Sequence, residues 1–186
     1  METGRFNTLF IEELAAPLRP HGVERFGKGH TLRFLHGEAD LRLLRLGGRM
    51  HVPGAMVTVL CFRHSFLRPV NGDDPDRAIL YAEDFSRTHV ISDFDMAPEH
   101  GPDYQANNLG RWPRDTFHYA DATETDVRRH LAALRESFVS RILPWAAAVT
   151  PEHELAQLRA NGEGAWCENR WIEDYERWLA RRSDPA

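Results

Sequence analysis

The amino-acid sequence predicts an α+β fold: an antiparallel sheet of about four to six strands, with an N-terminal helix and a long C-terminal helix packed on it, plus a helical C-terminal cap. Three observations predict this class. Apolar residues recur at helical spacing near the start of the chain, short β-forming runs follow, and helical spacing returns after residue 123. With 186 residues, the chain has the length of one domain. We expect a single domain over 1–186, with an α+β core over 6–149 and a helical extension over 150–182 packed on it.

The first helix is predicted by four apolar residues that recur at every fourth position, Phe6, Phe10, Leu14 and Leu18. This spacing places their side chains on one helical face. Pro20 and Gly22 close the pattern, because proline cannot continue a helix and glycine favours its end. The expected helix has about three turns.

The strands are predicted between Val23 and Phe66, where β-forming residues alternate and glycine pairs interrupt them. We expect three or four antiparallel strands there, at 23–26, 31–36, 40–46 and 56–66. The last run is apolar on both alternating faces, which indicates a position inside the sheet. A further strand or two is expected within 79–93 and around 117–119.

The long helix is predicted to start at Thr123, because Asp126 follows at the spacing of a capping box. Its apolar residues then step by three or four positions: Val127, Leu131, Leu134, Phe138, Ile142 and Trp145. Pro144 lacks a backbone N–H, so we expect it to end or kink this helix.

The C-terminal cap is predicted as two helices. Thr150 and Pro151 form a helix start, and Asn161 followed by glycine forms a stop. An aromatic stripe at helical spacing, Trp171, Tyr175 and Trp178, predicts a last helix. Such a stripe is more often core than a ligand platform, although an exposed one would form a dimer face. The oligomeric state stays open.

The charge balance argues against nucleic acid as a partner. The chain has 23 basic and 28 acidic residues, a net charge of −5, and the basic residues form no run. Binding to a duplex relies on clustered cations that displace counterions from phosphates. Lys28 is the single lysine, so arginine supplies nearly all of the positive charge.

The expected location is the cytoplasm. The N-terminal residues are polar and lack the apolar segment of a signal peptide, and no apolar run approaches the roughly 18 residues that span a bilayer. The two cysteines lie far apart, which is typical of free thiols in a reducing compartment. We therefore expect no membrane association.

Motifs of high specificity for catalysis are absent from the sequence. It contains no phosphate-cradling glycine loop, no HExxH pair, no GxSxG elbow and no EF-hand spacing. No cofactor is predicted. The ten histidines are spread evenly and none pair at metal-ligand spacing, so we expect a scattered surface set.

A divalent-cation site is the alternative hypothesis. Carboxylate and imidazole groups occur close together in one part of the sequence, at Asp93, Asp95, His100 and His118. A metal-dependent hydrolase or transferase would use these residues. The competing interpretation is a solvated loop end.

The strongest recognition candidate is the irregular segment 95–117. It combines aromatic and arginine anchors with adaptable amides, at Tyr104, Asn107, Arg111 and Trp112. A plain connecting loop is the competing interpretation. The preferred hypothesis is a non-enzymatic module that binds a protein partner, such as an immunity or accessory protein for a neighbouring gene product.

Two stretches carry a family resemblance. The first runs from Leu9 to Val23 and continues with Thr31-Leu32-Arg33-Phe34, and the second is Ile142-Leu143-Pro144-Trp145. Together they resemble the bacterial family called domain of unknown function 4304, in which an N-terminal helix leads through a turn into a strand and a closing helix breaks at a Leu-Pro pair. The resemblance covers about 6–149. It implies an α+β fold with an antiparallel sheet and brings no catalytic residues.

Overall fold

The structure is a computed structural model that describes residues 1–26, 30–45, 52–68, 115–161 and 169–183. Its architecture is α+β, as predicted. An antiparallel five-stranded sheet carries an N-terminal helix and a long helix, and two more helices follow at the C-terminal end. None of the described helices is both long enough and apolar enough to cross a lipid bilayer.

The first helix, α1, combines three helical types. It is α-helical over Thr3–Leu9, π-helical over Phe10–Ala15 and α-helical over Ala16–Leu18, and it ends in a 3-10 turn, Arg19–His21. The α1 helix is therefore longer than the predicted three turns. Gly22 follows with a φ of +80°, a conformation that glycine adopts without strain.

The π-helical segment explains why apolar residues recur every four positions in α1. Four residues exceed the 3.6 of an α-helical turn, so the apolar stripe would drift around a regular helix. A π turn holds more residues, because its hydrogen bonds run from i to i+5, and it reverses that drift. All four predicted face residues are fully buried: Phe6, Phe10, Leu14 and Leu18.

Five strands form an antiparallel meander in which each strand pairs with the next along the chain. They are β1 Val23–Phe26, β2 Thr31–His36, β3 Ala39–Arg45, β4 Ala55–His64 and β5 Asp115–His118. Strand β4 lies between β3 and β5, so the predicted interior position is confirmed. The strand expected within 79–93 lies outside the described residues.

The long helix, α2, is α-helical over Glu124–Ser137, π-helical over Phe138–Ile142 and α-helical over Leu143–Ala148. The capping box is confirmed. The Asp126 N–H donates to Thr123 Oγ1 at 3.2 Å, and the Thr123 N–H donates to the Asp126 carboxylate at 3.2 Å. The helix does not end at Pro144. It changes from π to α geometry at Leu143, just before this proline, so the residue without an N–H lies in the first turn of the new α-helical segment.

The main core lies between one face of the sheet and helices α1 and α2. Alternate residues of β2, β3 and β4 point into it, and so do the inward stripes of both helices. Each fully buried leucine or phenylalanine contributes about 1.5–3 kcal/mol through removal of its apolar surface from water.

The last two helices are α3, Pro151–Asn161, and α4, Asn169–Ser183. Thr150 caps α3 as predicted, because its hydroxyl accepts the His153 N–H at 3.2 Å. A second apolar cluster forms where these helices meet the residues after β4, with Leu67, Leu155, Leu158, Trp171 and Tyr175 at its centre. The aromatic stripe of α4 is therefore core, and its remaining member, Trp178, stacks on Phe66 with 4.9 Å between the ring centroids.

Polar contacts join α4 to the end of β4. The Trp171 indole N–H donates to the Arg68 carbonyl at 2.7 Å, and the Arg68 guanidinium binds Asp174 at 2.8 Å. His64 Nδ1 and the Tyr175 hydroxyl share a buried hydrogen bond of 2.9 Å. Whether the chain is one folding unit over 1–186 stays a prediction.

Candidate functional site

The two faces of the sheet differ in chemistry. Because side chains alternate along a strand, Leu41 and Leu43 of β3 face the helices, whereas Asp40 and Arg42 lie on the opposite face. We call this opposite face the outer face. Asp40 and Arg42 are nonetheless almost fully buried, with 0% and 2% of their surface exposed.

Three arginines converge on Asp40 at the outer face. Arg33 donates through Nε and Nη2 to the two carboxylate oxygens at 2.9 and 3.0 Å, and Arg42 does the same at 3.1 and 2.9 Å. Arg63 Nε lies 3.8 Å from Asp40 Oδ2. Both close pairs are bidentate, the strongest and most directional form of this contact.

The strands explain this arrangement. In the antiparallel register Arg33 pairs with Arg42, and Asp40 pairs with Arg63, so residues of three neighbouring strands meet on one face. Burial alone would raise the pKa of the Asp40 carboxyl, but hydrogen bonds from Arg42 and Arg33 outweigh it and hold that pKa below its usual value. Asp40 therefore stays ionised and fixes the two guanidinium groups.

Phe26 of β1 extends this cluster towards the sheet edge. The guanidinium carbons of Arg33 and Arg42 lie 4.8 and 4.4 Å from the centroid of its ring. At these distances a cation over an aromatic face is attracted by the ring quadrupole. Phe26 is thus held in place by two arginines that Asp40 already orients.

A small pocket opens beside this cluster, with a volume of about 260 Å³. We call it the hairpin pocket, because residues of strands β1 and β2 supply most of its lining. The lining residues are Gly22, Glu24, Arg25, Phe26, Arg33 and Leu35. Leu35 exposes 51% of its surface, more than any other large apolar residue that the structure describes. The pocket therefore combines an exposed apolar residue, an aromatic wall and two arginines.

The described part of the chain also has concave regions elsewhere. A groove of about 640 Å³ lies between α1 and α2 and includes Pro17, Ala132 and Val139, which is 36% exposed. A cleft of about 330 Å³ lies where α2 meets α3, beside Trp145 and His153.

Most of the site residues predicted from sequence lie outside the described residues. This holds for the partner-binding residues Tyr104, Asn107, Arg111 and Trp112 and for the metal-site residues Asp93, Asp95 and His100. His118 is described: it is exposed at the end of β5 and pairs with Ala55. Within the described ranges, no three His, Cys, Asp or Glu side chains come together to hold a metal ion.

The prediction that the histidines form a surface set is wrong for part of the set. His64 is buried against Tyr175, and its ring also packs on Phe66. His130 is half-buried and stacks on Phe117 with 3.8 Å between ring centroids. Both lie on elements whose apolar neighbours bury them, which even spacing in the sequence does not show.

Sequence reasoning missed the Asp40 cluster and the hairpin pocket. The alternation of β3 assigns Asp40 and Arg42 to a polar face, and a polar face is ordinarily solvated. The charge pattern of the paired strands could have predicted the Asp40 cluster. An acidic residue in β3 lies between arginines of β2 and β4 once the strands are paired, and opposite charges on neighbouring strands attract.

Comparisons of the chain with protein-family models, with curated proteins and with solved structures find no match. The resemblance to the domain of unknown function 4304 family stays a prediction.

Proposed function

We propose that this chain is a non-enzymatic protein-binding module that receives a segment of its partner at the hairpin pocket. The observation that carries the proposal is the combination of Leu35, Phe26 and Arg33 at one edge of the sheet, with Arg33 fixed by Asp40. Aromatic and arginine residues are enriched among the residues that dominate binding energy at protein interfaces.

The size of the pocket favours a side chain of another protein over a small molecule. Its 260 Å³ falls below the roughly 300–1,000 Å³ of typical small-molecule pockets. One large apolar side chain would fill it. Leu35 at its rim would then lose contact with water when the partner binds.

The backbone at the pocket also favours an extended partner segment. Strand β1 is an edge of the sheet formed by the described strands. Alternate N–H and C=O groups of an edge strand point away from the sheet and pair readily with another extended chain. A partner strand beside β1 would place every second side chain towards the pocket.

The charges of the pocket favour a carboxylate next to that apolar side chain. Arg25 and Arg33 both line the pocket, and Glu24 is the single acidic residue of the lining. Because Asp40 orients Arg33 before binding, little additional side-chain ordering is required when a carboxylate arrives. The partner we propose is a protein with an exposed, extended segment carrying an apolar and an acidic residue, such as the product of a neighbouring gene.

The proposal is tested by affinity capture from the native cell with the wild-type chain and two variants. Leu35→Asp places a charge at the rim of the hairpin pocket. Val139→Asp makes the same kind of change at an exposed valine of the groove between α1 and α2, so it is the matched control. We expect one protein to be retained by the wild type and by Val139→Asp but lost with Leu35→Asp.

Two results would contradict the proposal. A partner retained by Leu35→Asp and lost with Val139→Asp would assign binding to the groove. A partner retained by both and lost with Trp112→Ala would assign it to the segment 95–117 predicted from the sequence. All variants need melting temperatures near that of the wild type for the comparison to hold.

A further inference from the structure

Arg45, at the end of β3, is a half-buried cation without a carboxylate partner among the described residues. It lies on the helix-covered face of the sheet, opposite to the Asp40 cluster. Arg45 Nη1 donates to Asn7 Oδ1 of α1 at 2.7 Å, and the guanidinium carbon lies 5.2 Å from the centroid of the Phe6 ring. Both contacts are to neutral groups, so the positive charge of Arg45 is not balanced by them.

A histidine approaches the same corner from the turn just before β2. The β2–β3 pairing begins at Leu32 and Leu43, and His30 and Arg45 each lie two residues beyond this pair, near enough for the charge of Arg45 to act on the His30 imidazole. The His30 ring packs against Phe10 with 5.4 Å between ring centroids. Its Nδ1 is buried and has no hydrogen-bond partner in the part of the chain that the structure describes.

The electrostatics of the corner are consistently positive. Burial lowers the pKa of the His30 imidazole, and the charges of Arg45 and Arg25 lower it further. Burial also lowers the pKa of the Arg45 guanidinium, against an opposing effect of the Tyr119 hydroxyl. A negative charge placed here would be attracted by Arg45 and would favour the protonated form of the His30 imidazole.

The neutral groups of the corner are hydrogen-bond donors or hydroxyls. With Asn7 Oδ1 turned to Arg45, the amide nitrogen of Asn7 has two N–H groups to offer. The Tyr119 hydroxyl, whose ring stacks on Phe6, lies 3.0 Å from Thr3 Oγ1. Donors therefore approach from α1, from β3 and from the turn before β2. Donors from several directions suit a tetrahedral oxyanion better than a flat carboxylate, which one arginine satisfies alone.

We propose that Arg45, Asn7 and His30 form a binding site for a phosphate group, either free or carried by a small phosphate ester. The guanidinium supplies charge and directed N–H groups, and the amide supplies further donors. The Nδ1 atom of His30, which has no hydrogen-bond partner among the described residues, would donate to the phosphate when protonated. This site lies on the other face of the sheet from the Asp40 cluster. It is independent of the proposed protein-binding function.

Asn7→Asp is the sharpest test, because it places a carboxylate where Asn7 Oδ1 now accepts from Arg45. The carboxylate introduced at position 7 would then occupy the place beside Arg45 that we assign to the phosphate. We expect it to lose phosphate binding and, without phosphate, to melt at a higher temperature than the wild type. Arg45→Gln should also lose phosphate binding, without that gain in melting temperature. Gln157→Glu, on α3, adds the same charge far from the corner and is the matched control.

The measurement is the melting temperature and calorimetric affinity with sodium phosphate, glycerol phosphate or acetate, at an ionic strength held constant with sodium chloride. We expect phosphate to stabilise the wild type and Gln157→Glu, and to bind Asn7→Asp and Arg45→Gln at least about tenfold more weakly. Tighter binding of glycerol phosphate than of phosphate would identify an ester as the ligand, and equal binding would identify free phosphate.

Equal phosphate affinity in all four proteins would overturn the proposal. So would a wild type that phosphate stabilises no more than chloride does. Stronger binding of acetate than of phosphate would overturn the choice of a tetrahedral anion. The capture of a protein partner through Leu35 is not altered by any of these results.

Discussion

The two faces of the sheet reach the same degree of burial by different physical means. On the helix-covered face, Leu41, Leu43 and Phe62 are buried by non-directional apolar packing. On the outer face, Asp40 is equally buried but is surrounded by charges. Burial of charges costs desolvation energy that their attraction only partly offsets, so an ionic cluster is weak evidence of stability. We infer from this difference that the apolar face stabilises the fold, whereas the outer face fixes the positions of its arginines.

The largest expected effect comes from removing the central charge of the outer face. Asp40→Asn would remove the negative charge that faces the buried guanidinium groups of Arg42 and Arg63 and the partly exposed one of Arg33. We expect a loss of about 3–5 kcal/mol in the free energy of unfolding, measured with urea. Asp121→Asn, at an exposed aspartate, is the control and should change it by less than about 0.5 kcal/mol. A loss below about 1 kcal/mol for Asp40→Asn would show that the cluster is not buried as described.

The apolar face is tested by Leu134→Ala in α2. Leu134 is 1% exposed on the inward stripe of this helix, so its truncation should cost about 2–5 kcal/mol. Val139→Ala, at the exposed side of the same helix, should remain within about 0.5 kcal/mol of the wild type. Equal losses in the two variants would mean that the inward face of α2 has been assigned incorrectly.

The junction between the sheet and α4 should show an intermediate effect. Tyr175→Phe removes a buried hydroxyl and leaves His64 Nδ1 without that partner, at a cost of about 1–3 kcal/mol. Tyr119→Phe removes a hydroxyl whose neighbours are the exposed Thr3 and the half-buried Arg45, so water can replace it and the loss should be smaller. A Tyr175→Phe variant as stable as the wild type would indicate that α4 contributes little to the junction.

The smallest effect at neutral pH is that of the titration of His130. Burial lowers the pKa of the His130 imidazole from its ordinary 6.5 to about 4. Between these values the unfolded chain binds a proton that the folded chain does not, so stability falls as the pH falls from 6.5 towards 4. His130→Phe keeps a ring against Phe117 and removes this titration. Urea unfolding at several pH values should give a shallower pH dependence in the variant, and equal slopes would contradict the assignment.

Much of the fold could be predicted from the sequence because local rules determine it. The spacing of Phe6 to Leu18 gave the first helix, glycine interruptions gave strands β1 to β4 within two residues at most boundaries, and Thr123 with Asp126 gave the start of α2. These patterns depend on neighbours in sequence. The π-helical segments were not predicted, although the four-residue repeat is what they accommodate.

The candidate site could not be predicted because it depends on which strands lie side by side. Asp40 meets Arg33 and Arg63 only after β2, β3 and β4 pair in their register. The burial of a polar strand face is a property of the assembled fold, and period-two alternation alone indicates the opposite. The His30 and Arg45 corner has the same origin, since it also joins two strands and a helix.

The most direct test of the proposed function is the affinity of the captured partner for Leu35→Asp and Val139→Asp, measured by titration calorimetry with purified proteins. We predict that Leu35→Asp weakens binding by about 30-fold or more, which corresponds to about 2 kcal/mol, the size expected for a residue at the centre of an interface. Val139→Asp should bind within about threefold of the wild type. Equal affinity of the two variants, with both folds intact, would contradict the assignment of partner binding to the hairpin pocket.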